Sequence, residues 1–132
     1  MRAKTIFILL GTVLASTSLA APKDNSSGAQ LYARYCASCH GLVGEGDGPA
    51  ASIMQIRVPN LRSLSIRNDG VFPLAAVLAY VDGRKVPSSH GTRFMPIWGQ
   101  VFAWGDSDEA AQKRARARIN AIVEFVEKLQ YH

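Results

Sequence analysis

Apolar residues recur along this chain at helical spacing in two stretches and crowd into a short run in a third. Leu74, Val77, Leu78 and Val81 stand at i, i+3, i+4 and i+7, which predicts a helix over residues 73–81 with one apolar face; Asp82 and Gly83 stop it. Nearer the C-terminus, Ala115, Ile119, Ile122, Val123 and Val126 make a longer stripe. Ser107 is placed to cap that helix, and Asp108 and Glu109 suit its positive N-terminal end. A short helix over residues 28–36 is predicted by a capping box, Ser27 with Gln30 three positions later, and it stacks Tyr32 and Cys36 at i, i+4. Residues 41–48, GLVGEGDG, read as a glycine-rich turn; no apolar strand precedes them and no Lys-Ser/Thr follows, so they are not a phosphate cradle. Val58-Pro59-Asn60-Leu61 looks extended, and residues 83–105, with Pro87 and Pro96, read as loop. No stretch alternates long enough for a strand. The predicted class is all-α, short helices with long loops between them. Loops of that length in so small a domain make sense if something other than protein fills the middle.

The short apolar run, diluted by Thr and Ser, lies at the start. Arg2 and Lys4 precede residues 6–14, IFILLGTVL, and small residues follow through Ala21. This is the pattern of a secretory signal peptide, with cleavage after Ala20 because Ser18 and Ala20 then fill the two positions that must be small. A bilayer span needs about 20 apolar residues, and this run is far shorter. The first cysteine is Cys36, so no lipid-carrying cysteine stands at the cleavage point. The expected organisation is therefore residues 1–20 removed on export to the periplasm, 21–27 a loose tail, and 28–132 one domain. Loss of Arg2 and Lys4 takes the 15 basic residues to 13 against 10 acidic ones, so the net charge falls from +5 to +3. That mild, scattered excess argues against nucleic acid as a partner.

Both cysteines sit in YCASCHG, residues 35–41, followed at once by His40. Three chemistries use such a cluster. A thioredoxin-like dithiol follows a strand and opens a helix; here a helix runs into the motif and a glycine loop leaves it. A structural zinc ion needs four ligands, and beyond these three only His90 and His132 remain, with no second paired cluster. Covalent haem uses every part: Cys36 and Cys39 present two thiols on one side of a helical turn to the two vinyl groups of a porphyrin, and His40 offers an imidazole to the iron. Haem attachment also occurs outside the cytoplasm, in keeping with the signal peptide.

Iron held by His40 has a sixth position, and Met54, His90, Met95 and His132 are its candidates. Met54, in an apolar stretch, reads as core packing; His132 ends the chain; His90 reads as a solvent-facing loop residue beside Ser88 and Ser89. Met95, between apolar flanks and stiffened by Pro96, is the expected ligand.

Four pieces of residues 28–130 resemble the class I bacterial cytochromes c: Gly28-x-x-Leu31-Tyr32-x-x-x-Cys36-x-x-Cys39-His40-Gly41, Pro59-Asn60-Leu61, Met95-Pro96-x-Trp98-Gly99, and Ile122-Val123-Glu124-Phe125-Val126-x-x-Leu129. The resemblance implies the class I cytochrome c fold wrapped around one covalently bound haem c. It implies a close crossing of first and last helices, with Gly28 admitting the backbones and Tyr32 packing on Phe125. It also implies that the Pro59 carbonyl accepts the free ring N–H of His40, and that Leu61 and Trp98 wall the haem. The stretch from His40 to Pro59 and the segment 83–91 are longer than in the smallest members.

With His40 and Met95 both bound, no iron position is open for substrate. The expected function is a one-electron carrier, not an enzyme, cycling Fe(II)/Fe(III) between redox proteins such as a dehydrogenase donor and an oxidase or reductase acceptor, with membrane contact only through those partners. The alternatives are a haem enzyme or gas sensor with an open sixth position, and a fixed electron-transfer subunit of a dehydrogenase or oxidase complex. Lys113, Arg114, Arg116 and Arg118 form a candidate patch for acidic partners, against a solvated face supported by a Glu109–Lys113 pair. Arg84, Lys85 and Arg93 are candidates to lie near the haem propionates.

Overall fold

The computed structural model describes residues 27–84, 94–105 and 107–131. Residues 1–20, read as a signal peptide, lie outside these, as do residues 21–26, Lys85, His90, Arg93 and His132. Among the described residues, five α-helices and three 3-10 turns follow one another: α1 (Gly28–Tyr35), α2 (Ala37–His40), turns at Ala51–Ile53, Leu61–Ser63 and Ile66–Asn68, α3 (Leu74–Asp82), α4 (Trp98–Ala103) and α5 (Glu109–Lys128). No strand occurs among the described residues, so the all-α expectation holds.

The capping box at α1 is formed on both sides. The Gln30 N–H donates to the Ser27 hydroxyl, and the Ser27 N–H donates back to the Gln30 side chain at 2.8 Å. At α5 the expected cap moves by one residue. Asp108, not Ser107, accepts the Ala111 N–H, at 2.5 Å, and its carboxylate also complements the helix dipole, which a hydroxyl would not. The loop expected over residues 83–105 contains a helix, α4. Its six residues are too few to show a period, and its second position is Gly99. Contact with α5 holds it, through Phe102 and Ala103, both almost wholly buried.

Helix α5 is the spine of the domain, with α1, α3 and α4 packed on it. Its predicted stripe is buried throughout, extended by Ala111. Where α1 crosses it, a Cβ on Gly28 would lie 2.0 Å from the carbonyl oxygen of Ala121, so only glycine permits the approach. One turn on, the Tyr32 and Phe125 rings meet at 5.1 Å, tilted by 49°. Both halves of the expected crossing are present. Helix α3 differs. Its apolar face is only partly covered by protein, with Val81 buried, Val77 and Leu78 half-buried and Leu74 exposed. Val77 and Val81 pack on the core but also border a cavity that lies between α3 and α5.

One buried polar side chain ties the C-terminus down. Gln130 donates its amide to the carbonyls of Leu61 (2.8 Å) and Val126 (2.9 Å) and accepts the Ser65 N–H at 2.9 Å. The Tyr131 N–H then donates to the Arg62 carbonyl. These bonds fix the 61–65 segment against the end of α5.

Replacing Gly28 by Ala should lower unfolding free energy by about 1–3 kcal/mol, the usual cost of overpacking a tight contact. Helix propensity alone would give the opposite sign, since Ala is favoured over Gly by roughly 1 kcal/mol in a helix. A urea titration followed by far-UV circular dichroism decides between them.

Candidate functional site

Helix α1 gives way at Cys36 to the single turn α2, and this junction sets the two sulfurs and the imidazole. Cys36 closes α1, its N–H donating to the Tyr32 carbonyl, and its own carbonyl accepts from both Cys39 and His40. The chain thus continues as one more helical turn carrying Cys39 and His40. A helix this short leaves its last carbonyls without partners, and the glycine loop supplies them. Gly46, Gly48 and Ala50 donate to the carbonyls of His40, Cys39 and Ser38. That return path runs against the helix backbone: a Cβ on Gly48 would lie 2.4 Å from the Ser38 carbonyl oxygen and 2.5 Å from that of Ala37. The phenol of Tyr32, only 1% exposed, donates to the Gly41 carbonyl at 2.9 Å. The core residue of the helix crossing therefore also pins the residue after His40.

His40 points Nδ1 at the carbonyl oxygen of Pro59, 3.3 Å away. Burial holds its pKa below the ordinary histidine value, opposed by the bond to Pro59. The ring is therefore neutral, Nδ1–H is the donor, and Nε2 keeps its lone pair. Cys36 and Cys39 are not joined to each other in a disulfide. Burial pushes the Cys36 thiol up to about 12, with the neighbouring Cys39 adding to the effect.

Two cavities of about 330 and 300 Å³ open beside these groups. They share Cys36, His40, Pro59, Tyr80 and Met95, and so adjoin along that border as the two halves of a cleft. Trp98, Tyr35 and Phe94 wall one end; Leu61, Leu64, Val77 and Val126 wall the other. The cleft is chiefly apolar, of ligand-pocket size, with its few donor atoms gathered at one rim and at Met95.

Each sequence-derived site residue among those described borders this cleft: Cys36, Cys39, His40, Pro59, Leu61, Met95 and Trp98. Met54 is a correction. Expected in the core, it is half-buried and lines the cleft, because residues 51–53 form a 3-10 turn that folds back over α2. Arg84 is another. It does not border the cleft but is held by Asp82 at 2.7 and 2.6 Å and by Gln112. The Glu109–Lys113 ion pair is not formed. Tyr80 and Tyr35 were not anticipated. Tyr80 stands three residues after Val77 on the cleft face of α3, and that register was the available signal.

An all-α domain whose loops close on an apolar cleft, with a paired thiol motif and an imidazole at its rim, defines a c-type cytochrome domain of the class I kind. Residues 23–113 match the family described as cytochrome c oxidase, cbb3-type, subunit III. The chain belongs to that family, and its cofactor is one covalently bound haem c with iron. No curated protein and no solved structure matches the chain significantly. The cleft fits the cofactor: its apolar walls suit a porphyrin face, and its donors are the thiol, imidazole and thioether such a group uses. Among the described residues, no three His, Cys, Asp or Glu side chains converge as a metal site. No helix among them is long and apolar enough to cross a membrane.

Tyr32→Phe leaves the Gly41 carbonyl without its buried donor. The haem-loaded variant should lose about 1–3 kcal/mol of stability, the cost of an unpaired buried acceptor, in guanidinium unfolding followed at the haem absorption band.

Proposed function

We propose that this chain is an exported one-electron carrier whose iron is held by His40 and Met95, with the porphyrin tethered through Cys36 and Cys39. The observation that carries the reading is the shared border of the two cavities. It brings the Cys36 thiol, the His40 imidazole and the Met95 thioether to a single apolar cleft.

Bound there, the haem supplies an Fe(II)/Fe(III) couple, the chemistry of cytochrome c domains. The chain's residues determine how that couple is used. The Pro59 carbonyl holds the His40 ring through Nδ1 and leaves Nε2 for the iron. Met95 offers a soft sulfur, which favours the reduced ion, and the apolar walls disfavour the added charge of the oxidised one; both raise the potential. Two protein ligands leave no position for substrate, so the role is transfer and not catalysis. Helix α2 and its return loop are fixed by backbone hydrogen bonds, which keeps the ligands in place in both oxidation states.

Partners are redox proteins, with a dehydrogenase as donor and an oxidase or reductase as acceptor. The family's description supports a path that ends at an oxidase, either as free carrier or as docked subunit. The basic start, apolar run and small residues over 1–20 support export to the periplasm and removal of that segment, leaving 21–27 as a tail and 28–132 as the domain.

Intact-mass analysis of exported protein should give the chain beginning at Ala21 plus one haem, and Cys36→Ser with Cys39→Ser should give the bare polypeptide. The ferric protein should show the weak red-region band of sulfur-bound haem. Met95→Ala should abolish that band while Met54→Ala retains it. Carbon monoxide should leave the ferrous wild-type spectrum unchanged at neutral pH. Ready binding by the wild-type protein would replace this reading with one in which the sixth position is open.

A further inference from the structure

Trp104 is 73% exposed and sits in the left-handed region at φ 57°. It closes α4, a position usually filled by Gly or Asn. A large apolar side chain in water and a strained backbone for a residue with Cβ are each unfavourable, and outliers of this kind gather at functional positions. Val101, 43% exposed, stands beside it one turn earlier on α4.

The same helix carries Trp98 and Phe102 into an aromatic cluster that reaches the haem cleft. Tyr35 and Trp98 both line the cleft. Phe102 stacks on Trp98 at 5.2 Å and 25° and meets the edge of Tyr35 at 5.0 Å, while Tyr35 meets Trp98 at 5.5 Å. Two cations cover the far side: the Arg118 guanidinium lies 5.7 Å from the Phe102 ring and that of Arg34 lies 5.3 Å from Tyr35. Arg114 is one turn before Arg118 on the same flank of α5. The basic run of α5 is thereby split. Arg116 lies on the opposite flank, with Gln112 and Asn120, in the groove against α3, and by helical spacing Glu109 shares that flank.

We propose that Arg34, Val101, Trp104, Arg114 and Arg118 form a docking surface for an acidic one-electron redox protein. Phe102, Tyr35 and Trp98 carry the electron between this surface and the haem. The three arginines specify a negatively charged partner, and Trp104 is the apolar anchor of the contact, the residue type most enriched among interface hot spots. In the step itself one electron leaves the iron, which passes from Fe(II) to Fe(III), and the partner's centre gains it. No proton moves and no bond forms or breaks. This rests on the haem assignment above, and a preparation without haem absorption would defeat that assignment before the test begins.

The probe is an acidic blue-copper protein, zinc-substituted for binding and in its Cu(II) form for transfer. With the ferrous haem protein, titration of the zinc form should shift the Trp104 indole N–H resonance, and Trp104→Gly should raise the dissociation constant about tenfold, the loss of one anchor worth about 1.4 kcal/mol. Glycine is the preferred residue at φ 57°, so that variant folds at least as well as the wild type. Arg34→Glu with Arg114→Glu should weaken binding and flatten its salt dependence. Phe102→Leu, which nearly conserves volume, should slow transfer to Cu(II) several-fold at saturating partner with the dissociation constant unchanged. Shifts centred on Leu42 and Val43 instead, with Trp104→Gly binding normally, would overturn the docking surface. Unchanged transfer in Phe102→Leu would overturn the aromatic route, and a dimer abolished by Trp104→Gly would assign the face to self-association.

Discussion

The contact on which the rest of this domain depends is the crossing of α1 and α5. The missing Cβ of Gly28 lets the first helix settle under the Ala121 carbonyl, and Tyr32 then packs on Phe125 one turn later. That depth matters because Tyr32 does two things at once. Its ring is part of the core, and its hydroxyl reaches out of the core to the carbonyl that follows His40. Moving α1 outward by even the radius of a methyl group would withdraw that hydroxyl and loosen the turn that carries both thiols and the imidazole. The packing of a helix pair is thus converted into the position of the His40 imidazole.

From there the polar backbone does the positioning. Helix α2 is too short to satisfy its own carbonyls, so the return loop satisfies them, and Gly48 is there because nothing larger could run so close to Ser38 and Ala37. The same loop brings the chain round to Pro59, whose carbonyl orients the His40 ring. At the other end, Gln130 joins the 61–65 segment to α5. The cleft wall at Leu61 and Leu64 is therefore set by the same spine that sets the imidazole. The turn that carries the thiols and the imidazole is held by main-chain hydrogen bonds, not by long side chains free to reorient.

The apolar residues of α3 and the loops make sense only with a cofactor in view. Val77 and Val81 border the cleft as well as the protein core, and a chain with so much loop has little other apolar surface to bury them. The family's covalent haem is an apolar body of the kind such a cleft accepts. The amphipathic pattern of α3 is clear in the sequence, while part of its apolar face borders the cleft.

How much could be read from residues alone follows from the range of each interaction. The capping box of α1, the stripe of α5, the stop at Gly83 and the Cys36–Cys39–His40 cluster are local patterns, set by helical periodicity and adjacent chemistry, and they stand in the structure as they stand in the sequence. Resemblance to known cytochromes added Gly28, Pro59, Leu61 and Trp98, whose partners lie far along the chain. Other features were settled only by tertiary contacts: α4, whose six residues hold no period and exist because Phe102 packs on α5; Met54, brought to the cleft by a turn that folds over α2; Arg84, taken up by Asp82 and Gln112; and the division of the α5 arginines between two faces. Covalent order determined which chemistry the chain could carry, since the thiols and the imidazole are neighbours before any folding occurs. Tertiary packing decided where that chemistry faces, because a cleft and its rim are made by segments that meet only when the backbone has closed around them.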